Sequence, residues 1–171
     1  IPPEHVSYKG HEIWSWVEFA EQCGGDWWGS FETTDREGGE AVVLLIGDVT
    51  GHGAPSALLT ATAQGGLSIL KSWIGTNPEL LDDPREILAL YNRAVHESSR
   101  GLLSMTFLAV VLQPRRNRLL IANAGHNWPY LYTPSEEAGG ITVKAIGGAS
   151  PVLGANGDQK FEHLEEHPWV Q

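Results

Sequence analysis

Apolar positions are densest between Ala41 and Gly47, where AVVLLIG places six apolar residues in a row ahead of Asp48. A continuous apolar run of this kind, bounded by glycine, fits a strand buried on both faces. It brings Asp48 to the edge of a core, where a carboxylate is costly unless something pairs with it. Gly51, His52 and Gly53 follow, and then APSALLTATAQGGLSILKSW reads as a helix from Pro55 to about Trp73. Leu58, Leu59, Thr62, Leu67, Leu70 and Trp73 give it a broad apolar face. The Gly65–Gly66 pair interrupts that face and marks either a kink or a close approach of another backbone.

Upstream, residues 1–9 read as a lead-in, and His11 to Ala20 alternates like a strand, with Ile13, Val17 and Phe19 on one side and Trp14 and Trp16 on the other. Phe31 to Thr34 reads as a strand, and DREGG at 35–39 is a hairpin-type turn. Asp26 therefore precedes one strand of a hairpin and Asp48 follows its partner. In an antiparallel pair those positions lie at the same end of the sheet. Downstream, Asp83 and Pro84 supply an N-cap and a first helical position for a second helix reaching about Ser98. MTFLAVVLQ (105–113) and NRLLIANAG (117–125) flank PRR as a further hairpin, with short strands at 129–133 and 141–146, a loop at 147–154 and a weak alternating strand near the end. The order of strands, two helices and strands is α+β, with helices covering a mainly antiparallel sheet.

The 171 residues correspond to one domain, 1–171, by length alone. A net charge of −10 excludes the basic stripe of a nucleic-acid surface and suits a protein that binds cations. The single cysteine, Cys23, excludes an internal disulfide and a cysteine zinc cluster, and one thiol is compatible with a reducing cytoplasm. No apolar run approaches the roughly 18 residues of a membrane span, so direct membrane insertion is not expected. The start, IPPEHVSYKG, is polar and proline-rich rather than a signal peptide, and its initial Ile reads as the start of a piece of a longer chain.

Two aspartates in glycine-rich loops at one end of a sheet are hard oxygen ligands for Mg²⁺ or Mn²⁺, and a water between two such ions becomes nucleophilic near neutral pH. The competing reading of Asp26 and Asp48 is that of turn formers. His52 fits either a proton donor to a leaving oxygen or a residue that hydrogen-bonds its own loop. His126, in AGHN, fits a structural role, donating to a backbone carbonyl. Trp27 and Trp28 read as packing residues or as the lining of a groove. Ser56 and Thr60 read as capping or packing residues, and the five remaining histidines as surface residues.

The segments CGGDWWG, IGDVTGHGAPSALLTA, SMTFLAVVL, LIANAGHNWPYLY and PVLG resemble, in sequence and in order, the bacterial stage-II-sporulation-E type phosphatases. These are the prokaryotic branch of the type 2C, metal-dependent serine/threonine protein phosphatases. The resemblance runs from about residue 10 to about residue 155. It implies an α-β-β-α sandwich of two mainly antiparallel sheets flanked by helices. It implies hydrolysis of phosphoserine or phosphothreonine on a signalling protein such as an anti-sigma-factor antagonist. Two Mn²⁺ or Mg²⁺ ions are implied, with Asp26 and Asp48 as ligands and Val49 giving its backbone carbonyl. The helix from Pro55 resembles a regulatory helix that packs at a homodimer interface, and such domains are cytoplasmic outputs of larger sensor proteins. Two departures stand out. The family pattern carries an aspartate where this chain has Gly29. The chain also stops at Gln171, where the family's final metal-binding segment is expected. These departures lead to the expectation of a poorly active fragment, and to an alternative in which the chain is a non-catalytic pseudophosphatase that docks a regulator or dimerises.

Overall fold

The computed structural model describes residues 4–8, 10–16, 24–135 and 139–169. Cys23 and the 17–20 part of the expected first strand lie outside the described residues. Nine strands and two helices follow one another as β1 (His5–Tyr8), β2 (His11–Trp14), β3 (Asp26–Thr34), β4 (Glu40–Val49), α1 (Ala54–Ile74), α2 (Pro84–Ser99), β5 (Met105–Gln113), β6 (Arg118–Ala124), β7 (Tyr130–Pro134), β8 (Ile141–Ala145) and β9 (Glu165–His167) among the described residues. A five-stranded sheet in the order β3-β4-β5-β6-β9 is antiparallel throughout, and β1-β2 and β7-β8 form separate two-stranded ribbons.

Side chains alternate across a strand, so each strand of the sheet divides its residues between two faces. One face presents Trp27 and Phe31, then Ala41, Val43, Leu45 and Val49, and across β5 Met105, Phe107, Ala109 and Val111. All of these belong to the main core with Leu59, Ala63 and Leu70 of α1 and Ile87, Leu88, Tyr91 and Val95 of α2. Rings of Trp27, Tyr91 and Phe107 meet at centroid separations of 4.6 to 6.1 Å, joining β3, α2 and β5. The other face carries Val42, Leu108, Leu112, Leu119 and Ile121, against which Tyr8, Ile13 and Leu131 of the two ribbons pack. The helices thus cover one side and the ribbons form a second, smaller β layer on the other.

Local chemistry explains the joints. Asp35 Oδ1 accepts from the N–H groups of Glu37 (2.9 Å) and Gly39 (2.7 Å), closing the β3–β4 turn. Asp83 caps α2 by accepting from Arg85 N at 3.1 Å, with Pro84 in the first turn. α1 continues unbroken through Gly65–Gly66. A Cβ on Gly66 would stand 3.2 Å from the Tyr91 ring, so Gly66 marks close packing rather than a kink, while Gly65 faces open space. Ser56 Oγ donates to Gly53 O within the first turn. At the end of the sheet away from Asp26 and Asp48, Asp82 accepts from Arg116 and Arg118 and lies 3.2 Å from Arg36 Nε.

Two sequence expectations are corrected, and the departure at Gly29 finds its place in the sheet. The lead-in contains a strand, β1, paired with β2 through Val6↔Ile13 and its neighbours. Histidines expected at the surface include His167, which is 8% exposed, and His96, whose Nδ1 lies 2.8 Å from Gly154 O. Gly29, where the family pattern has an aspartate, is three residues from Asp26 and so lies on the opposite face, toward α1. A Cβ there would be 2.7 Å from Leu67 Cδ2. An aspartate at this position would be a buried, unpaired charge rather than a ligand beside Asp26. Gly29→Asp is therefore expected to cost about 3 kcal/mol or more of stability without tightening Mn²⁺ binding, measured by urea denaturation and isothermal titration.

Candidate metal centre

The register of β3 against β4 places Asp26 directly opposite Asp48. Opposed residues of an antiparallel pair share a face, with Cβ atoms about 4.5–5.5 Å apart. The same cross-strand row continues into β5, where Thr106 is opposite Asp48. Both aspartates are exposed at the rim, on the face the ribbons cover. They border a cavity of about 580 Å³ whose wall also includes Trp28, Ile46 and His126.

Two carboxylates this close repel. The Asp48 carboxyl is held above the usual carboxylate range, first by its partial burial and then by the charge of Asp26, with His126 opposing. His126 is held below the usual imidazole range by burial, against the pull of Asp48 and Asp26. A divalent cation would relieve the repulsion between the carboxylates.

The chemistry of the donor set and one feature of the backbone test whether a cation fits. Val49, 2% exposed, ends β4 beside Gly25, to whose carbonyl it donates at 3.1 Å. A Cβ built on Gly25 would fall 2.6 Å from Val49 O and 3.2 Å from Asp48 Oδ1. A backbone carbonyl and a carboxylate oxygen thus converge on space that exists only because residue 25 lacks a side chain. Hard oxygens from Asp26, Asp48 and Val49, with water completing the shell, suit Mg²⁺ or Mn²⁺. Among the described residues no group of three or more His, Cys, Asp or Glu side chains converges on one point.

His126 is hydrogen-bonded, as a structural role requires, but through a different partner from the one expected. Its Nδ1 shares a 2.8 Å hydrogen bond with the Thr106 hydroxyl, not with a backbone carbonyl. Its backbone is clamped by Asn123, 2% exposed, which accepts from His126 N at 2.8 Å and donates to His126 O at 3.0 Å. The signal was present in the sequence. Asp48 and Thr106 flank the facing ends of two apolar runs, and AGHN closes the next strand along. His52 lies exposed in the loop before α1 and does not line the cavity that borders the two aspartates. Of the two tryptophans, Trp27 packs in the main core, with Nε1 donating to Gln64 at 2.9 Å, while Trp28 lines the cavity.

The family model of Stage II sporulation protein E (SpoIIE) matches residues 38–167. Among solved structures, the chain is similar to the SiaA-PP2C domain of Pseudomonas aeruginosa, at 26% identity and a TM-score of 0.60, covering 86% of this chain and 52% of that one. It is also similar to the RsbU and RsbW domains of Rv1364c from Mycobacterium tuberculosis, at 23% identity and a TM-score of 0.62, covering 88% and 38%. Against serine/threonine phosphatase Stp1 from Staphylococcus aureus the identity is 14%, the TM-score 0.58 and the coverage 85% and 65%. The chain thus spans about half, or less, of the first two of these structures. No curated protein sequence matches it.

The raised Asp48 gives a signed pH dependence in cation-free protein. The folded state keeps the Asp48 proton to higher pH than the unfolded chain does, so this group's contribution to stability falls as pH rises from the usual carboxylate range through its folded value. Asp26→Asn removes the second cause and is expected to lower the Asp48 pKa, read from the carboxyl ¹³C shift during an NMR titration in EDTA. Mg²⁺ added in place of EDTA is expected to compete with the proton and move the apparent titration of Asp48 down.

Proposed function

The chain belongs to the SpoIIE family, and from that premise we propose that it is a metal-dependent phosphatase domain that removes phosphate from phosphoserine or phosphothreonine of a signalling protein, such as an anti-sigma-factor antagonist. The observation that carries this reading is the direct opposition of Asp26 and Asp48 beside the Val49 carbonyl. Asp26, Asp48 and the Val49 carbonyl would hold divalent cations. Bound there, Mn²⁺ or Mg²⁺ supplies Lewis acidity toward phosphoryl oxygens and acidifies water. The chain's own residues then position and neutralise. The carboxylates stand in one cross-strand row, so their spacing is set by the ladder rather than by loop rotamers. Thr106 fixes the His126 ring, and Asn123 fixes its backbone, so the imidazole is presented at the cavity wall. His52, in the Gly-His-Gly turn after β4, remains the proposed proton donor to the leaving serine oxygen. We place the domain in the cytoplasm as the output of a larger sensor protein; among the described residues no helix is long and apolar enough to cross a membrane.

A second reading, a pseudophosphatase that docks a regulator, is favoured by one observation: only two carboxylates meet at the rim among the described residues. The two readings separate on Asp48→Asn. As an enzyme, the chain with Mn²⁺ is expected to show a low but measurable turnover of a phosphoserine peptide and to lose at least about 100-fold of that kcat/KM while its circular dichroism is unchanged. As a docking module it shows no turnover before or after the change.

The homodimer proposed through α1 has a surface to support it. Leu58, Ile69 and Trp73 are 70%, 71% and 41% exposed and recur on one side of the helix, with open space above Gly65 between them. Ile69→Asp is expected to shift the sedimentation profile toward the monomer, leaving thermal stability within about 0.5 kcal/mol.

A further inference from the structure

Of the three oxygen donors at the rim, the Val49 carbonyl alone cannot turn about a side-chain bond. Its direction depends on the peptide that joins it to Thr50. That peptide is planar and trans, so its C=O and N–H point opposite ways. Thr50 N–H donates to Ser104 O at 2.9 Å, on the β5 side of β4. The same plane aims Val49 O away from β5 and at Gly25, where a Cβ would fall 2.6 Å from it.

Thr50 holds this peptide by more than its backbone. Val49 is opposite Met105, so Thr50 and Ser104 form the next pair along β4 and β5. In a regular hydrogen-bonded pair each N–H donates to the other residue's carbonyl. Here the main chain makes half of that exchange and the Thr50 side chain the other half. Ser104 N–H donates to Thr50 Oγ1 at 3.1 Å, and the same hydroxyl donates to Ser104 O at 3.0 Å. The Ser104 hydroxyl lies farther off, at 3.4 Å. The threonine hydroxyl thus stands in for its own carbonyl. The chain can leave the ladder at residue 50 and turn into Gly51, at φ +92°, without loosening the peptide behind it. Ser104 is anchored in turn. Its neighbour Met105 exchanges both main-chain bonds with Leu153, at 2.9 and 3.0 Å, and Gly154 N–H donates to the buried Asn92 of α2 at 2.8 Å.

Resting on the metal-centre reading above, we propose that Thr50 is a positioning residue for the cation. Its hydroxyl, bonded to both main-chain groups of Ser104, holds the 49–50 peptide so that the Val49 carbonyl stays aimed at the space beside Asp48.

The test compares the unmodified chain with Thr50→Val, Thr50→Ser and Thr76→Val. Valine keeps the β-branched shape and loses the hydroxyl, whereas serine keeps the hydroxyl. Thr76, whose hydroxyl donates to Trp73 O at 3.0 Å, supplies the same substitution away from the rim. Mn²⁺ affinity is read by isothermal titration. Thr50→Val is expected to bind Mn²⁺ about tenfold more weakly, with Thr50→Ser and Thr76→Val within about threefold of the unmodified chain. Mg²⁺ is expected to move the Val49 carbonyl ¹³C resonance in the unmodified chain and in Thr50→Ser, and to move it less in Thr50→Val at equal saturation. Unchanged Mn²⁺ affinity in Thr50→Val overturns the positioning role and leaves the metal centre standing. Equal weakening in Thr50→Ser does the same, as does loss of the metal-free circular dichroism in Thr50→Val, which makes the hydroxyl a requirement of folding. Absence of Mn²⁺ binding by the unmodified chain overturns the positioning role and counts against the metal-centre reading as well.

Discussion

The parity of the β3–β4 register governs this molecule. With Asp26 opposite Asp48, every even step along the two strands returns to the ribbon side and every odd step to the helix side. A slip of one residue would exchange those sets, moving Phe31, Val43 and Leu45 off the helix-side core and turning the carboxylates toward the helices. The main core and the acidic rim are therefore specified by the same pairing, and burial of the apolar set is what holds the two acids face to face despite their repulsion. Asp35, by satisfying two backbone N–H groups in the connecting turn, fixes the register at the far end.

Much of this was legible in the chain. The apolar run from 41 to 46, the DREGG turn and the two aspartates at corresponding hairpin ends predict their proximity without coordinates. Asp83 and Pro84 announce α2 by the ordinary capping chemistry. The residues that were not legible share a cause: their roles depend on contacts distant in sequence. His126 finds Thr106 only because β5 lies between β4 and β6. Gly29 departs from the family pattern, and only the strand geometry shows that its side belongs to Leu67. β1 was missed because four residues carry too little pattern on their own, whereas β9 falls within the weak alternating strand expected near the end, where pairing with β6 defines its three residues.

The two faces of the sheet are built to different standards. The helix side is filled by large side chains fully withdrawn from water, among them Phe107, Leu45 and Ile87. The ribbon side is covered piecemeal, and Leu44, Ile46 and Val110 stay half-buried. The helix side holds the larger core cluster, and the ribbon side holds the acidic rim. At the far end of the sheet the arginines around Asp82 tie turns together by ion pairs, so charge there is matched, whereas the charge at the rim is of one sign.

The bare α-carbon at position 25 has an evolutionary corollary. Ligand aspartates are what a reader checks first when sorting active relatives from inert ones, yet here the vacancy that two oxygens enclose depends equally on the absence of a methyl group. A descendant could retain both acids and still be silenced by a single small substitution at this glycine, through obstruction rather than through loss of a ligand.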